Sequence, residues 1–362
     1  MKTRHLFITG LFLINGILNP ASGQDQQEQR DALLWKKAQR IHEKAVVIDA
    51  HAHQLIIDPE DPNRKDPESS QLSVEKVCQG RIDGLGLYFA YYPIKNGTLL
   101  TRVQQDLQNL QKQITSHDTP IAVVSDLQNL KGSMEKEDLV IIPGVEYFFG
   151  AFNGELGTID SLYEAGIRAI TIMNNEHDVL SKKSDDQGNS YQLTDFGKKV
   201  IRQLNRKGMV IDISHLSDPV QMNVINQSQT PVIASHSPVR GVHDVPRNIP
   251  DPILRRLAEK GGAVMITFNS GDLAGVKEGR CSIERLIDHI DHAVQIAGTD
   301  HVGIGSDFNG AGRRSPRNLE DASGFPWITY HLLKRGYTEE EILKILGGNY
   351  MNTLEKITQH TL

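Results

Sequence analysis

Histidine and acidic residues recur in this sequence directly after short apolar runs. They do so in the motifs Asp49-Ala50-His51-Ala52-His53, Pro143-Gly144-Val145-Glu146, Asp212-Ile213-Ser214-His215, Ser235-His236-Ser237 and Gly305-Ser306-Asp307. Imidazole and carboxylate groups bind divalent metals, and a metal-bound water is a nucleophile near neutral pH. One histidine after a strand is commonly a hydrogen-bonded structural residue. The recurrence of the same residue types at the same place predicts a metal centre.

The candidate metal ligands are His51, His53, Glu146, His215 and His236. Two of them, His51 and His53, are two residues apart, so in a strand their side chains point to one face. The carboxylate of Glu146 can bridge two ions. Asp307 is a candidate acid–base residue or, alternatively, a partner that orients a ligand histidine. A ligand set without thiolate suits zinc, with manganese or iron left open.

The spacing of the apolar runs predicts the elements that carry these residues. Eight runs rich in β-branched residues lie at 46–48, 85–90, 139–142, 169–173, 210–213, 232–234, 263–268 and 302–304. Continuous apolar runs indicate strands buried on both faces, and amphipathic segments such as 195–207 and 282–297 indicate helices between them. Eight alternations predict a (β/α)8 TIM barrel, in which the ends of the strands converge on one active site. A polar insert around 182–190 is expected to form a loop over that site.

The first residues have the pattern of an export signal. Lys2 and Arg4 precede an apolar stretch at 6–18, and Ala21-Ser22-Gly23 follows it. That stretch is too short to cross about 30 Å of hydrocarbon, whereas it suits a signal peptide. We expect residues 1–23 to be a signal peptide and residues 24–362 to form one catalytic barrel domain. The protein is then periplasmic or secreted, with no membrane span after cleavage.

Charge and cysteine content exclude other classes of protein. The formal net charge is −6 without a basic stripe, so nucleic acid is not an expected partner. The only cysteines are Cys78 and Cys281, too few for a cysteine-rich zinc site. Whether they pair stays open, as does whether the protein forms a homodimer.

The motifs, in this order, resemble the membrane (renal-type) dipeptidase family of zinc peptidases, which belongs to the amidohydrolase-like superfamily. The resemblance extends over nearly all of residues 45–357. It is carried by the motifs Gly144-Val145-Glu146, Asn205-Arg206-Lys207-Gly208-Met209-Val210-Ile211-Asp212-Ile213-Ser214-His215, Pro231-Val232-Ile233-Ala234-Ser235-His236-Ser237, Arg247-Asn248-Ile249-Pro250-Asp251, Gly303-Ile304-Gly305-Ser306-Asp307-Phe308, Leu319-Glu320-Asp321 and Gly347-Gly348-Asn349.

This resemblance implies a site with two zinc ions that cleaves dipeptides. His51 would hold the first ion, Glu146 would bridge, and His215 and His236 would hold the second. Asp307 would be the acid–base residue. The guanidinium of Arg247 would bind the carboxylate of the substrate, although Arg247 could instead be a surface or helix-capping residue.

Two departures from the family pattern bear on the site. The family has His-x-Asp at the first strand, where this chain has His51-Ala52-His53, and His-x-His occurs there in the wider superfamily. The family also has a substrate-contacting histidine after the fourth strand, where this chain has Asn174. His177 follows three residues later, so we hypothesise that it supplies the missing imidazole. A solvent-exposed loop histidine is the alternative.

The sequence therefore predicts a zinc-dependent dipeptidase that uses a metal-activated hydroxide. Two other functions remain open. One is a related amidohydrolase reaction, such as hydrolysis of an N-acyl amino acid or a lactone. The other is a non-catalytic binding protein on the same scaffold, which the departures from the family pattern at His53 and Asn174 support.

Overall fold

The computed structural model of the chain describes residues 23–57, 70–91, 99–136, 139–146, 155–172, 180–183, 191–277, 279–310 and 314–359. Residues 1–22 lie outside this set, so the expected signal peptide stays a prediction. No helix in the described part of the chain combines the length and apolar character that crossing a bilayer requires.

The described strands, in chain order, are β1 (Ile48–Ala52), β2 (Gly84–Ala90), β3 (Ile121–Val123), β4 (Leu139–Glu146), β5 (Ala169–Thr171), β6 (Ser181–Lys183), β7 (Tyr191–Leu193), β8 (Val210–Asp212), β9 (Ile233–Ala234), β10 (Ala263–Ile266) and β11 (Val302–Ile304). Parallel pairing runs in the order β1-β2-β4-β5-β8-β9-β10-β11. Each predicted apolar run overlaps one strand of this path, so the expected (β/α)8 barrel is confirmed.

The barrel is nearly closed where its first and last strands meet. The backbone N–H of Asp307 donates to the carbonyl of His51 at 2.9 Å, and that of His53 donates to the carbonyl of Phe308 at 2.9 Å. This contact joins segments from opposite ends of the chain. It therefore brings two of the predicted site motifs together.

Alternating residues of the strands pack into two separate apolar clusters. In β4, Val140 and Ile142 belong to one cluster, and Leu139, Ile141 and Val145 belong to the other. Successive side chains of a strand point to opposite faces, so the strand is covered on both sides. This double burial is the physical reason that the strands read as continuous apolar runs.

Helices cover the outside of the barrel. The described α-helices are α1 (Gly23–Lys44), α2 (Val74–Gln79), α3 (Leu99–Thr115), α4 (Leu130–Met134), α5 (Gly157–Ala165), α6 (Asp195–Arg206), α7 (Asp218–Gln227), α8 (Asp251–Glu259), α9 (Ser270–Ala274), α10 (Ile283–Ala297), α11 (Phe325–Lys334), α12 (Glu339–Leu343) and α13 (Asn349–Thr358). The predicted helices at 195–207 and 282–297 correspond to α6 and α10.

The N-terminal helix α1 packs on the barrel through α11. The rings of Trp35 and Trp327 lie 4.2 Å apart between centroids. The buried imidazole of His42 contacts Thr329 Oγ1 at 2.8 Å through Nδ1 and the carbonyl of Gly80 at 2.9 Å through Nε2. The residues that follow the predicted cleavage site thus contact the rest of the fold.

Three features differ from or add to the sequence expectations. The short strand β3 pairs with the first residues of β4 and was not predicted. The segment expected as a loop contains, in its described part, the antiparallel pair β6 and β7. Cys78 is exposed and Cys281 is buried, and the two are not joined to each other.

Candidate metal centre

His51 and His53 present their imidazoles together at one end of the barrel. Both belong to or directly follow β1, and their Nε2 atoms lie 3.2 Å apart. This agrees with the expectation that residues two apart in a strand share a face. Barrel closure adds Asp307, whose Oδ1 lies 3.4 Å from His53 Nε2.

His215 and His236 form a second imidazole pair. They follow the neighbouring strands β8 and β9, and their Nε2 atoms lie 2.7 Å apart. The His236 side chain is buried, while the His215 side chain is 22% exposed. The second pair therefore has access to solvent through His215.

Glu146, the last residue of β4, lies between the two pairs. Its Oε2 is 3.4 Å from His51 Nε2 and 3.1 Å from His53 Nε2. Its Oε1 is 3.1 Å from His215 Nε2 and 3.3 Å from His236 Nε2. Each carboxylate oxygen thus faces one imidazole pair, which is the arrangement of a carboxylate that bridges two ions.

The distance between the Nε2 atoms of His51 and His53, and the distances from the imidazoles to Glu146, fit metal ligation. The Nε2 atoms of His215 and His236 lie closer together than two ligands of one zinc ion. Two ligands about 2.0–2.1 Å from a tetrahedral zinc ion lie about 3.3–3.4 Å from each other. His51, Glu146 and His236 each offer a ligand atom within 4.8 Å of the others, and so do His51, His53 and Asp307. Oε1 of Glu146 is buried and accepts no well-aligned hydrogen bond from the described residues. Buried polar atoms rarely stay unpaired, so this oxygen suits a cation.

Hydrogen bonds behind the imidazoles orient their inner nitrogens. His53 Nδ1 lies 2.8 Å from the carbonyl of Tyr88, which can only accept, so Nδ1 carries the proton and Nε2 faces the centre. His51 Nδ1 and His236 Nδ1 lie 2.7 and 2.9 Å from the same hydroxyl, Ser235 Oγ. The ring of Tyr88 stacks on that of His51, with 3.9 Å between the ring centroids.

The electrostatics of the centre favour bound positive charge. Burial raises the pKa of Glu146, but the imidazoles of His51 and His236 outweigh it and hold this pKa well below its usual range. Burial lowers the pKa of His53, but Asp307 and Glu146 outweigh it and raise this pKa to about 10. Burial holds the pKa of His236 well below its usual value. An ionised, buried carboxylate is stabilised by a cation beside it.

Two of the candidate residues have left-handed backbone conformations. His215 has φ +68° and Asp307 has φ +60°. This conformation costs a residue other than glycine about 1–2 kcal/mol. Such strain concentrates at functional sites, where the surrounding structure holds it in place.

Arg247 lies against the second imidazole pair. Its guanidinium donates to the carbonyl of His236 at 2.8 Å and to Ser237 Oγ at 3.0 Å, and its Nη2 is 3.4 Å from His215 Nε2. It is therefore not a freely solvated surface residue. The other predicted substrate-side residues, Asn174 and His177, lie outside the described residues.

Sequence reasoning did not single out the buried groups that support the ligands. Asp212 and Ser235 form one such network, and Asp49 and Ser306 form another. The available signal was an aspartate inside an otherwise apolar strand, at Ile48-Asp49 and Ile211-Asp212. A buried carboxylate needs several hydrogen-bond donors, and the hydroxyl donors Ser235 and Ser306 lie 23 and 257 positions away in sequence.

A cavity of about 410 Å³ opens beside the centre. His53, His215 and Asp307 of the candidate centre line it, and so do Tyr91, directly after β2, and Asp106 of α3. Tyr91 donates its hydroxyl hydrogen to Asp106 at 2.6 Å. This volume is within the range that holds small ligands.

The fold and the centre together define a class: parallel eight-stranded barrels with a metal-binding set of histidine and carboxylate residues at the ends of the strands. The sequence model of the membrane dipeptidase family, peptidase family M19, matches residues 35–361. The chain therefore belongs to the membrane dipeptidase family, and the resemblance seen in the sequence is confirmed.

Individual relatives agree with this assignment. Dipeptidase 3 of Rattus norvegicus is 30% identical over 310 residues, which cover 83% of this chain and 61% of the rat protein. The match thus spans about three fifths of that relative. Dipeptidase verJ of Clonostachys rogersoniana is 31% identical over 299 residues, covering 79% of this chain and 76% of that protein.

Solved structures confirm the fold. The probable dipeptidase PvdM of Pseudomonas aeruginosa has a TM-score of 0.79 at 20% identity, covering 91% of this chain and 100% of that one. A metallo peptidase from Rhodobacter sphaeroides, liganded with a phosphinate mimic of the dipeptide L-Ala-D-Ala, has a TM-score of 0.76 at 20% identity. That match covers 86% of this chain and 99% of the other.

Proposed function

We propose that this protein is a zinc-dependent dipeptidase. The observation that carries the proposal is the position of Glu146, whose two oxygens each face one imidazole pair. Membership of the membrane dipeptidase family supplies the substrate class. Glu146 and the two imidazole pairs would hold two ions, which would supply activation of water and polarisation of the scissile carbonyl.

The ligands divide between the two ions. His51 and His53 would hold the first, His215 and His236 the second, and Glu146 both. Histidine and carboxylate ligands without a thiolate suit zinc. His53 replaces a carboxylate of the family pattern, so the first ion would have one negative charge fewer beside it.

Asp307 would move the proton. Its carboxylate lies 3.4 Å from His53 Nε2, and its side chain is 15% exposed, so it borders the cavity where the substrate would enter. A carboxylate there can accept a proton from the attacking water and deliver it to the leaving nitrogen.

Arg247 would hold the C-terminal carboxylate of the dipeptide. Its guanidinium is anchored on the carbonyl of His236 and on Ser237 Oγ, beside the second imidazole pair. A forked cation fixed at this place would orient the scissile carbonyl towards the ions. His177 is the proposed donor to the oxyanion, with Asn174 as a weaker one.

We further propose that the protein is exported to the periplasm or secreted. The support is the sequence pattern of the first residues, with a positive segment, an apolar stretch and small residues at 21–23. No nucleic acid partner is proposed.

Metal analysis combined with a substrate panel tests the function. The purified chain should contain two zinc ions, lose hydrolysis of dipeptides with a strong chelator, and regain it with zinc. Full activity in metal-free protein would contradict the proposal. Turnover of N-acyl amino acids or lactones in preference to dipeptides would instead identify a related amidohydrolase. Metal binding without turnover of any of these would indicate a binding protein.

A further inference from the structure

One buried hydroxyl touches a ligand of each proposed metal ion. Ser235 Oγ lies 2.7 Å from His51 Nδ1 and 2.9 Å from His236 Nδ1. His51 belongs to the first imidazole pair and His236 to the second. Ser235 is completely buried, so water does not compete for these contacts.

The carboxylate of Asp212 determines where the hydroxyl proton of Ser235 goes. Ser235 Oγ donates to Asp212 Oδ2 at 2.6 Å. The same carboxylate accepts from the hydroxyl of Thr171 at 2.6 Å, and from the backbone N–H groups of Ser214 and Ser235 at 2.9 and 2.8 Å. A carboxylate offers only acceptor atoms, so both hydroxyls donate to Asp212, as the two backbone N–H groups do.

The proton count then determines the state of both imidazoles. A hydroxyl has one hydrogen and two lone pairs. Because Ser235 gives its hydrogen to Asp212, it can only accept from His51 and His236. Each of these histidines must therefore carry a proton on Nδ1, which leaves the lone pair of Nε2 facing the metal centre.

We propose that Ser235, held by Asp212, is a positioning residue that prepares both metal sites at once. The inference rests on the proposed binuclear site. One hydroxyl imposes the ligating tautomer and the ring orientation on a ligand of each ion. Loss of this hydroxyl should weaken the binding of both ions, whereas loss of His53 should weaken chiefly the binding of the first ion.

The test is a zinc titration of the metal-free full chain against a chromophoric chelator. Ser235→Ala should weaken both sites by about 10–100-fold, the range for removing a partner behind a metal ligand. Ser235→Thr, which keeps the hydroxyl, should restore much of the affinity. Thr171→Val is the matched control, since it removes a hydroxyl from the same carboxylate oxygen without touching a histidine. It should keep both sites near wild-type affinity.

Asp212→Asn gives a second route if Ser235→Ala does not fold. The backbone N–H groups of Ser214 and Ser235 keep the amide oxygen on their side, so the NH2 group faces the hydroxyl of Ser235 and cannot accept its hydrogen. The hydroxyl should then turn towards an imidazole and oppose its Nδ1 proton. This variant should also bind both ions more weakly. Histidine nitrogen NMR of the metal-free wild type should show protonated Nδ1 on His51 and His236.

The outcomes separate this inference from the proposed function. A wild-type chain that binds fewer than two ions would overturn the binuclear site itself. If the wild type binds two, and Ser235→Ala binds both with unchanged affinity or loses only one, the role of Ser235 is wrong and the proposed function stands. Equal losses in Thr171→Val and Ser235→Ala would reduce the effect to general destabilisation of Asp212 and overturn the specific role.

Discussion

Nη2 of Arg247 lies 3.4 Å from Nε2 of His215. A proposed carboxylate-binding cation therefore stands beside a proposed metal ligand. A substrate carboxylate held by Arg247 would compensate positive charge in this part of the centre. In the proposed binding mode this distance would leave little room between the carboxylate on Arg247 and the scissile bond.

Replacement of Arg247 should impair binding of the substrate carboxylate. We expect Arg247→Met to lower kcat/KM for a dipeptide by about 10²-fold, mainly through KM, since a charged hydrogen-bonded pair is lost. The two zinc ions should remain. Steady-state kinetics and metal analysis measure this. A dipeptide with an amidated C-terminus is the control, because it lacks the carboxylate. Both proteins should hydrolyse it with a low kcat/KM, and the value for Arg247→Met should be close to that of the wild type.

Replacement of Asp307 separates proton transfer from metal binding. Asp307→Asn keeps the size of the side chain but cannot accept the proton of the attacking water. We expect the rate to fall by about 10²-fold or more with both ions retained. Turnover numbers and zinc content are the measurements. Unchanged turnover would leave Asp307 with a structural role only.

His53 should be a ligand of the first ion although it departs from the family pattern. His53→Ala should reduce zinc content towards one ion per chain. His53→Asp should keep two, because a carboxylate is the family residue at this place. Zinc titration distinguishes the two variants. Two ions at full occupancy in His53→Ala would show that His53 is not a ligand.

His177 should donate to the oxyanion formed on the former carbonyl oxygen. We expect His177→Ala to lower kcat by about 10²-fold, the effect of losing one such donor, with metal content unchanged. Asn174→Ala should cost less. Single-turnover kinetics and metal analysis of the two variants measure these effects. Normal turnover, or loss of metal instead of rate, would remove His177 from the mechanism.

His289 should make stability depend on pH. Its Nδ1 accepts from the backbone N–H of Val239 at 3.0 Å, and its Nε2 donates to the carbonyl of Leu273 at 2.9 Å. Burial lowers the pKa of His289 from 6.5 to about 4. Between these values the unfolded chain binds a proton that the folded chain does not. The free energy of unfolding should therefore decrease as pH falls through this window.

The variant His289→Gln isolates that contribution. At pH 7.5 the variant should have a lower free energy of unfolding than the wild type. This difference should shrink by about 2 kcal/mol as pH falls to 5, because only the wild type has a histidine here whose unfolded form gains a proton. Urea unfolding of both proteins with chelator present, at both pH values, measures this. A deficit that does not change with pH would contradict the interpretation.

The sequence by itself determined the barrel and the identity of the candidate ligands. The runs later found in β2, β4 and β8 were visible because strands buried on both faces must be apolar along their length. Glu146 and His215 stood out because each is a polar residue at the end of such a run. These are local patterns, which a few neighbouring residues suffice to specify.

Only the tertiary structure decided how these residues meet. His51 and Ser235 are 184 positions apart, yet one hydrogen bond joins them. Likewise, Asp307 reaches His53 because the barrel closes between β1 and β11. Strand periodicity says which face a side chain takes, but not which oxygen of Glu146 faces which histidine. That depends on the curvature and register of the closed sheet, which are properties of all the strands together.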